Sequence, residues 1–129
     1  MRKVLVVDEY FSIRELIRIV LEQSGYSVFE AASGTEAVRS AGEVLPDLII
    51  LDVDMPALDG FGAVKELRRD PRFEMTPIIA FTGDARYGGR ERALSAGFTS
   101  YLAKSIGLSA LRGEVARLFG QEIPYVSRR

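Results

Sequence analysis

Five short apolar runs recur along the chain, and a stretch of helical periodicity follows each of them. The runs are rich in Val, Ile and Leu, which is typical of strands that are buried on both faces of a sheet. The pattern predicts strands at residues 4–7, 26–31, 48–51, 77–81 and 99–103. Residues 48–51 are the most apolar of these segments, so we expect them at the centre of the sheet.

Apolar residues spaced three and four positions apart indicate a helix after every strand. Ser12 with Glu15, and Ser33 with Glu36, have the spacing of capping boxes, which predicts that the first two helices begin there. Gly25 is placed to end the first helix, as C-terminal glycines do. The second helix is predicted to run to about residue 42, and the later ones to cover residues 61–69, 90–97 and 108–119.

Strict alternation of strands and helices predicts an α/β fold: a doubly wound, five-stranded parallel sheet with five helices covering both faces. The pattern contains no internal repeat and no linker before residue 121. We therefore expect one domain at residues 1–120 and a C-terminal tail at residues 121–129, where Pro124 prevents helix continuation.

Composition removes several classes of function. The 129 residues include no Cys and no His, which excludes disulfide scaffolds, Cys or His metal sites, and Ser-His-Asp hydrolysis. The formal net charge of −1 gives no global attraction to nucleic acid or to an anionic membrane. No apolar run is long enough for a membrane span, and Asp8 interrupts the first run too early for a signal peptide. We expect a cytoplasmic protein.

Polar side chains follow four of the five predicted strands. The carboxyl ends of parallel strands share one edge of the sheet, where ligands bind in open α/β folds. The residues brought to that edge are Asp8 and Glu9, Asp52 and Asp54, Thr82, and Lys104.

Carboxylates gathered at one edge need a counter-charge. Two unit charges about 5 Å apart repel by roughly 3 kcal/mol at an effective dielectric constant near 20. Lys104 is one candidate for the counter-charge, and a divalent cation is another. Oxygen-only ligands suit Mg²⁺, which binds one or two carboxylates together with waters and a phosphate. The combination predicts a carboxylate nucleophile suited to phosphoryl transfer, with a hydroxyl and an ammonium to receive phosphate oxygens.

The same segments resemble the receiver domain of bacterial response regulators, over residues 3–120. The segments that carry the resemblance are VLVVDE at 4–9, LDVDMP at 51–56, DG at 59–60, IAFTG at 79–83 and YLAK at 101–104. The combination is far more specific than any one of them. The resemblance implies a flavodoxin-like fold with strand order 2-1-3-4-5.

The resemblance also implies a role for each site residue. Asp52 would accept the phosphoryl group. Glu9 and Asp52 would ligate Mg²⁺ (or Mn²⁺) through their side chains, Asp54 would do so through its backbone carbonyl, and Asp8 would hold a metal-bound water. Lys104 would pair with Asp52 and then with the phosphoryl oxygens.

Two further residues would form the switch. Thr82 would bond the phosphoryl group, and Tyr101 would turn inward as Thr82 moves. The fourth helix, fifth strand and fifth helix would then change as one face, which is a population shift between two arrangements. Tyr101 could also be an ordinary half-buried strand tyrosine.

The implied function is a phosphoacceptor in two-component or phosphorelay signalling. A histidine kinase or histidine phosphotransfer protein would donate the phosphoryl group, and a downstream effector protein would read the result. Autophosphorylation and autodephosphorylation are implied, but not metabolic catalysis. We expect no direct contact with nucleic acid or membrane, and a monomer or weak dimer.

The sequence departs from the family pattern at several positions. Ser105 stands where proline usually follows the lysine, often after a cis bond; a cis bond to serine costs about 3 kcal/mol. Gly83 replaces the more common alanine or serine. Asp54 and Asp84 add negative charge beside the path of an attacking water. Residues 87–89 include two glycines, which predicts a mobile start to the fourth helix.

Three alternatives were weighed against this hypothesis. A haloacid-dehalogenase-type phosphatase shares the Asp-x-Asp of residues 52–54, but that family places it after the first strand. A flavodoxin-like cofactor binder needs a phosphate-holding first loop, and Asp8 and Glu9 would repel a phosphate there. A degenerate receiver that acts as an interaction module without phosphorylation stays open, because of Ser105 and Gly83.

Overall fold

The five predicted strands are present and form one parallel sheet. The structure is a computed structural model, and it describes residues 1–55, 58–83 and 89–121. The strands are β1 Lys3–Val7, β2 Ser27–Ala31, β3 Leu48–Leu51, β4 Ile78–Thr82 and β5 Ser100–Ala103. Their order is β2-β1-β3-β4-β5, with every pairing parallel. This confirms the doubly wound, flavodoxin-like fold with order 2-1-3-4-5.

Five α-helices connect and follow the strands. They are α1 Phe11–Gln23, α2 Gly34–Val44, α3 Gly60–Arg69, α4 Gly89–Ala96 and α5 Leu108–Leu118. Two short 3-10 helices, Pro71–Phe73 and Lys104–Ile106, were not predicted. Strand and helix ends otherwise differ from the predicted ones by one or two residues, which is the usual uncertainty of such boundaries.

Each face of the sheet has its own hydrophobic core. Leu5 and Val7 of β1 pack with residues of α2, α3 and α4 on one face, whereas Val4 and Val6 pack with α1 and α5 on the other. Residues 4–7 are all fully buried, because successive side chains point to opposite faces and helices cover both. This double burial explains why the strands are continuous apolar runs.

The two predicted capping boxes have different outcomes. Ser33 is the N-cap of α2, and its hydroxyl accepts a hydrogen bond from the Glu36 amide at 3.1 Å. The prediction for Ser12 was wrong: α1 begins at Phe11, after an N-cap at Tyr10 that lacks a side-chain bond. The Arg14 amide already bonds the Tyr10 carbonyl at 3.1 Å, so Ser12 lies inside the first turn. Gly25 has φ +93° just beyond α1, as predicted for a C-terminal glycine.

Several expectations fall on residues 84–88 and 122–129, which lie outside the described residues. They include Asp84, most of the predicted mobile start of the fourth helix, and the tail with Pro124. Gly89 is described as the first residue of α4, with φ +42°. Within the described parts of the chain, no helix is both long and apolar enough to span a membrane.

Candidate functional site

Asp8 and Asp52 leave the sheet side by side. Val7 pairs with Leu51 in the register of β1 and β3, so the residue that follows each strand emerges at the same level. The Asp52 amide also donates to the Val7 carbonyl at 3.0 Å. Both aspartates are almost fully buried, with 2% and 3% of their surface exposed. Two carboxylates are therefore held together under little solvent screening.

Lys104, one of the two candidates for the counter-charge, contacts both aspartates. Its ammonium nitrogen lies 2.5 Å from Oδ2 of Asp8 and 3.1 Å from Oδ2 of Asp52. Burial works against the charged ammonium, but the hydrogen bonds and attraction to the two carboxylates outweigh it and raise the pKa of Lys104. Lys104 is therefore held firmly in its charged form between the two aspartates.

Asp52 has a perturbed carboxyl group. Burial raises its pKa, and the nearby charge of Asp8 acts in the same direction. The Asp54 amide, which donates to Asp52 Oδ1 at 3.0 Å, and Lys104 act the other way but do not cancel the rise. A buried carboxylate with a raised pKa beside a fixed cation is typical of functional sites.

Glu9 and Asp54 do not join this ion-pair cluster. Both residues are exposed, whereas Asp8 and Asp52 are buried and share the Lys104 ammonium. The backbone of Asp54, which is the part expected to bind the cation, lies beside Asp52 because its amide donates to Asp52 Oδ1. Across residues 1–55, 58–83 and 89–121, no three Asp or Glu residues form a ready-made cation cage. The two buried carboxylates and the exposed Glu9 nevertheless give an all-oxygen donor set. Mg²⁺ needs only one or two carboxylates besides water and phosphate, so these residues fit it.

Thr82 ends β4, the strand beside β3, and Gly83 follows it. Thr82 is fully buried and pairs in register with Ala103, one residue before Lys104. Gly83 is exposed, and a Cβ placed there would lie 3.9 Å from Lys104 Cδ. This is ordinary van der Waals contact, so the structure gives no steric reason for glycine rather than alanine.

Tyr101 is partly buried on β5 and packs against the core on the α2, α3 and α4 face. Its hydroxyl is buried without a hydrogen-bond partner among the described residues. A Cβ placed at Gly89, the first residue of α4, would lie 3.7 Å from the Tyr101 hydroxyl. A buried hydroxyl that lacks a partner costs about 1–3 kcal/mol.

Ser105 does not prevent the placement of Lys104. The described residues contain no cis peptide bond, so the bond between Lys104 and Ser105 is trans. Lys104 begins the short 3-10 helix Lys104–Ile106 and still contacts both aspartates. The proline of the family pattern is therefore not required for this contact.

The sequence did not indicate two residues that shape the site. Arg14 donates to the Asp8 carbonyl at 2.8 Å, and Gly60 approaches the Asp52 backbone closely. A Cβ at Gly60 would lie 2.4 Å from the Asp52 carbonyl oxygen, a distance that only glycine allows. Gly60 belonged to a motif of the resemblance, which was its only signal; Arg14 had none.

A model of the response regulator receiver domain matches residues 4–116. The chain belongs to the response regulator receiver family. Receiver domains are phosphoacceptors of two-component signalling rather than metabolic enzymes. The polar-differentiation response regulator DivK of Brucella ovis is 34% identical over 105 residues, which cover 81% of this chain and 85% of DivK.

Solved structures agree with this family. Chemotaxis protein CheY4 of Vibrio cholerae is 35% identical, with a TM-score of 0.85 over 92% of this chain and 98% of CheY4. The receiver domain of sensor histidine kinase PA1611 from Pseudomonas aeruginosa is 36% identical, with a TM-score of 0.84 and coverage of 93% and 98%. That structure has a magnesium ion coordinated in its active-site cleft. The chain also matches several longer transcriptional regulators, of which it spans only 42% to 49%.

Proposed function

We propose that this receiver takes a phosphoryl group on Asp52. The observation that supports it is the buried Asp52 carboxylate, held at the carboxyl edge of the sheet beside the ammonium of Lys104. A carboxylate oxygen of Asp52 attacks phosphorus of a donor phosphohistidine. The phosphorus–nitrogen bond breaks, an acyl phosphate forms on Asp52, and the imidazole leaves. These 129 residues contain no His, so the donor histidine lies outside them.

The metal-binding residues in this proposal are those that the family resemblance implies. Asp52 and Glu9 would hold Mg²⁺ (or Mn²⁺) through their carboxylates, Asp54 would do so through its backbone carbonyl, and Asp8 would hold a metal-bound water. When bound, the cation neutralises negative charge on the phosphoryl oxygens. The coordinated magnesium in the PA1611 receiver supports this assignment.

Lys104 and Thr82 complete the machinery. The Lys104 ammonium contacts the Asp52 carboxylate before phosphorylation. In the proposal it contacts a phosphoryl oxygen afterwards, where the negative charge then lies. The Thr82 hydroxyl, at the end of the neighbouring strand, donates to another phosphoryl oxygen. In the slow autodephosphorylation of the proposal, water attacks phosphorus of the acyl phosphate. The bond between the Asp52 oxygen and phosphorus breaks, inorganic phosphate leaves, and Asp52 returns to its carboxylate form.

The output of the proposed switch is a change at α4, β5 and α5. Thr82 moves toward the phosphoryl group, and Tyr101 follows into the vacated space. The buried Tyr101 hydroxyl, which has no hydrogen-bond partner among the described residues, supports this role. A side-chain movement that gave this hydroxyl a partner would be favourable. Phosphorylation then favours one of two arrangements by the energy of its new contacts.

The partners in this proposal are proteins. A histidine kinase or histidine phosphotransfer protein supplies phosphate in the cytoplasm, and an effector protein binds the changed face. We propose no direct contact between residues 1–120 and nucleic acid or membrane, and a monomer or weak dimer. In this proposal residues 1–120 are the receiver domain and residues 121–129 are a C-terminal tail.

Phosphorylation by a small donor tests the proposal. The chain is incubated with acetyl phosphate in Mg²⁺, in EDTA, and as Asp52→Asn, and the intact mass is measured. We expect one phosphoryl group to be added only when both Mg²⁺ and Asp52 are present. No gain by the folded chain in Mg²⁺ would overturn the proposal in favour of a degenerate receiver that acts as an interaction module.

A further inference from the structure

Arg14 on α1 joins the acidic loop after β1 to the neighbouring strand β2. Its Nη1 donates to the Asp8 carbonyl at 2.8 Å, and its Nε lies 3.0 Å from Oε1 of Glu30. The side chain is only 14% exposed. A guanidinium is planar and its donors point in fixed directions, so two such bonds fix the relative positions of the groups that they join.

Arg14 bonds the carbonyl oxygen of Asp8, and the other polar atoms of Asp8 have other partners. The Asp8 amide donates to the Ala31 carbonyl, Oδ1 accepts from the Tyr10 amide, and Oδ2 contacts Lys104. The carbonyl oxygen is bonded by Arg14. This carbonyl belongs to the peptide group that links Asp8 to Glu9, so Arg14 sets the orientation of that peptide plane.

Glu9 has no comparable support of its own. Its side chain is exposed, and within the described part of the chain no hydrogen bond or ion pair holds its carboxylate. The direction in which Glu9 projects therefore depends on the backbone before it. That backbone is the peptide group that Arg14 holds.

We propose that Arg14, itself held by Glu30, is a positioning residue that orients the Asp8–Glu9 peptide and thereby strengthens Mg²⁺ binding. The inference rests on the proposed function, in which Glu9 and the aspartates bind the cation. The inference goes beyond that function because it assigns roles to Arg14 and to Glu30 of β2, neither of which lies in the segments that carry the resemblance. Groups that orient metal ligands in this way typically change metal affinity 10- to 100-fold when removed, by order of magnitude.

The charge of Arg14 makes the proposal sharply testable. A positive charge beside a cation site repels the cation, so removing it should strengthen Mg²⁺ binding if charge alone matters. A residue that only stabilises the fold would change unfolding but leave Mg²⁺ affinity unaltered. Loss of positioning predicts the opposite of the charge effect, namely weaker binding.

Arg18 provides a matched control on the same helix. Its Nε lies 3.1 Å from Oε2 of the same Glu30, and it also pairs with Glu22. Its hydrogen bonds and ion pairs among the described residues are with Glu15, Glu22 and Glu30, and not with the loop at residues 8–10. Like Arg14→Met, Arg18→Met therefore removes one positive charge and one ion-pair partner of Glu30. It leaves the hydrogen bond from Arg14 to the Asp8 carbonyl in place.

The test is calorimetric titration of Mg²⁺ into the unaltered chain, Arg14→Met, Arg14→Lys and Arg18→Met, with denaturant unfolding in EDTA as a separate measure of stability. We expect Arg14→Met to bind Mg²⁺ about tenfold more weakly, Arg14→Lys to lie in between, and Arg18→Met to match the unaltered chain. Binding by Arg14→Met as tight as that of the unaltered chain, or tighter, would overturn the inference.

Glu30→Gln covers the case in which Arg14→Met does not fold. It keeps an amide oxygen for Arg14 but loses the charge that holds the guanidinium in place, so we expect weaker Mg²⁺ binding again; unaltered affinity would overturn the inference. If the unaltered chain itself binds no Mg²⁺, the proposed function has failed, and that result is distinct from equal binding by the variants.

Discussion

The ammonium nitrogen of Lys104 lies 3.1 Å from Oδ2 of Asp52. Lys104 follows β5 and Asp52 follows β3, so this contact spans β4, which lies between the two strands. The same nitrogen contacts Asp8, so one cation is shared by two buried carboxylates. Among the described residues, Lys104 is the one cation paired with these two carboxylates, so one negative charge is left over at this point. The excess charge makes the site unstable without a cation and ready to bind one. Several measurable consequences follow from this imbalance.

Neutralising Asp52 should stabilise the metal-free chain. Asp52→Asn keeps the shape and the oxygen that accepts from the Asp54 amide, and it leaves Lys104 paired with Asp8 alone. We expect the free energy of unfolding in EDTA to rise by about 1 kcal/mol. Asp54→Asn is the matched control, because it removes an exposed charge two residues away and should change stability by less than about 0.5 kcal/mol. A clear loss of stability in Asp52→Asn would contradict the imbalance of charge.

The pH dependence of stability should also show the unfavourable negative charge at Asp52. Because burial raises the pKa of Asp52 above its ordinary value of 3.8, the folded chain binds this proton more tightly than the unfolded chain. Its contribution to the free energy of unfolding therefore falls as pH rises from 3.8 through the raised folded value. Denaturant unfolding in EDTA across this range should show the stability advantage of Asp52→Asn growing with pH. Parallel profiles for the two proteins would contradict the raised pKa.

Removing Lys104 should have the opposite effect on stability. Lys104→Met leaves Asp8 and Asp52 facing each other without a cation, and we expect a loss of about 3 kcal/mol in EDTA at neutral pH. Acidification, which protonates a carboxylate, should recover part of that loss. Lys65→Met removes an exposed lysine on α3 and serves as the control. Equal unfolding midpoints for the two variants would show that the Lys104 contacts contribute nothing.

Arg68 is predicted to stabilise the fold without acting in the site. Its guanidinium donates to the carbonyls of Gly97, Phe73 and Thr76 at 2.9, 2.6 and 2.7 Å. Removing it takes a donor from all three carbonyls, although that of Phe73 also accepts from the Thr76 amide, so Arg68→Met should lose about 3 kcal/mol of stability. Arg69→Met, at the exposed next position, should change little. Mg²⁺ affinity of the folded Arg68→Met chain should equal that of the unaltered chain, and a changed affinity would refute a purely structural role.

Gly60 should be intolerant of even one added carbon. A Cβ there would lie 2.4 Å from the Asp52 carbonyl oxygen and 2.4 Å from Val53 Cα, so the backbone that carries the acceptor must shift. We expect Gly60→Ala to lose about 2 kcal/mol and to accept phosphate from acetyl phosphate more slowly. Gly113→Ala on α5 is the control: nothing lies within 4 Å of its Cβ, so it should gain up to about 1 kcal/mol. Equal effects of the two substitutions would contradict the close approach at Gly60.

The sheet and the meeting of Asp8, Asp52 and Lys104 could be predicted because both follow from periodic patterns. Runs that are apolar at every position require cover on both faces, and parallel strands bring their carboxyl ends to one edge. The start of α1 was less predictable. Ser12 has the capping spacing, but a backbone bond from Arg14 to Tyr10 begins the helix earlier.

The arginine contacts could not be predicted from sequence. Arg14 meets Glu30 across 16 positions, and Arg68 meets Gly97 across 29, so neither pair leaves a local pattern. Nothing in the sequence indicated that Glu9 would be exposed while its neighbour Asp8 is almost fully buried. Such differences depend on the exact course of the loop, which is set by the contacts that it makes.

Locating the phosphoryl group on a particular carboxylate tests the central claim most directly. The chain is phosphorylated with acetyl phosphate in Mg²⁺, reduced with borohydride to convert the acyl phosphate to homoserine, digested, and analysed by peptide mass spectrometry. The account predicts homoserine at position 52 alone, and none when EDTA replaces Mg²⁺. Homoserine at Asp8, Glu9 or Asp54, or at no position in the folded chain, would contradict it.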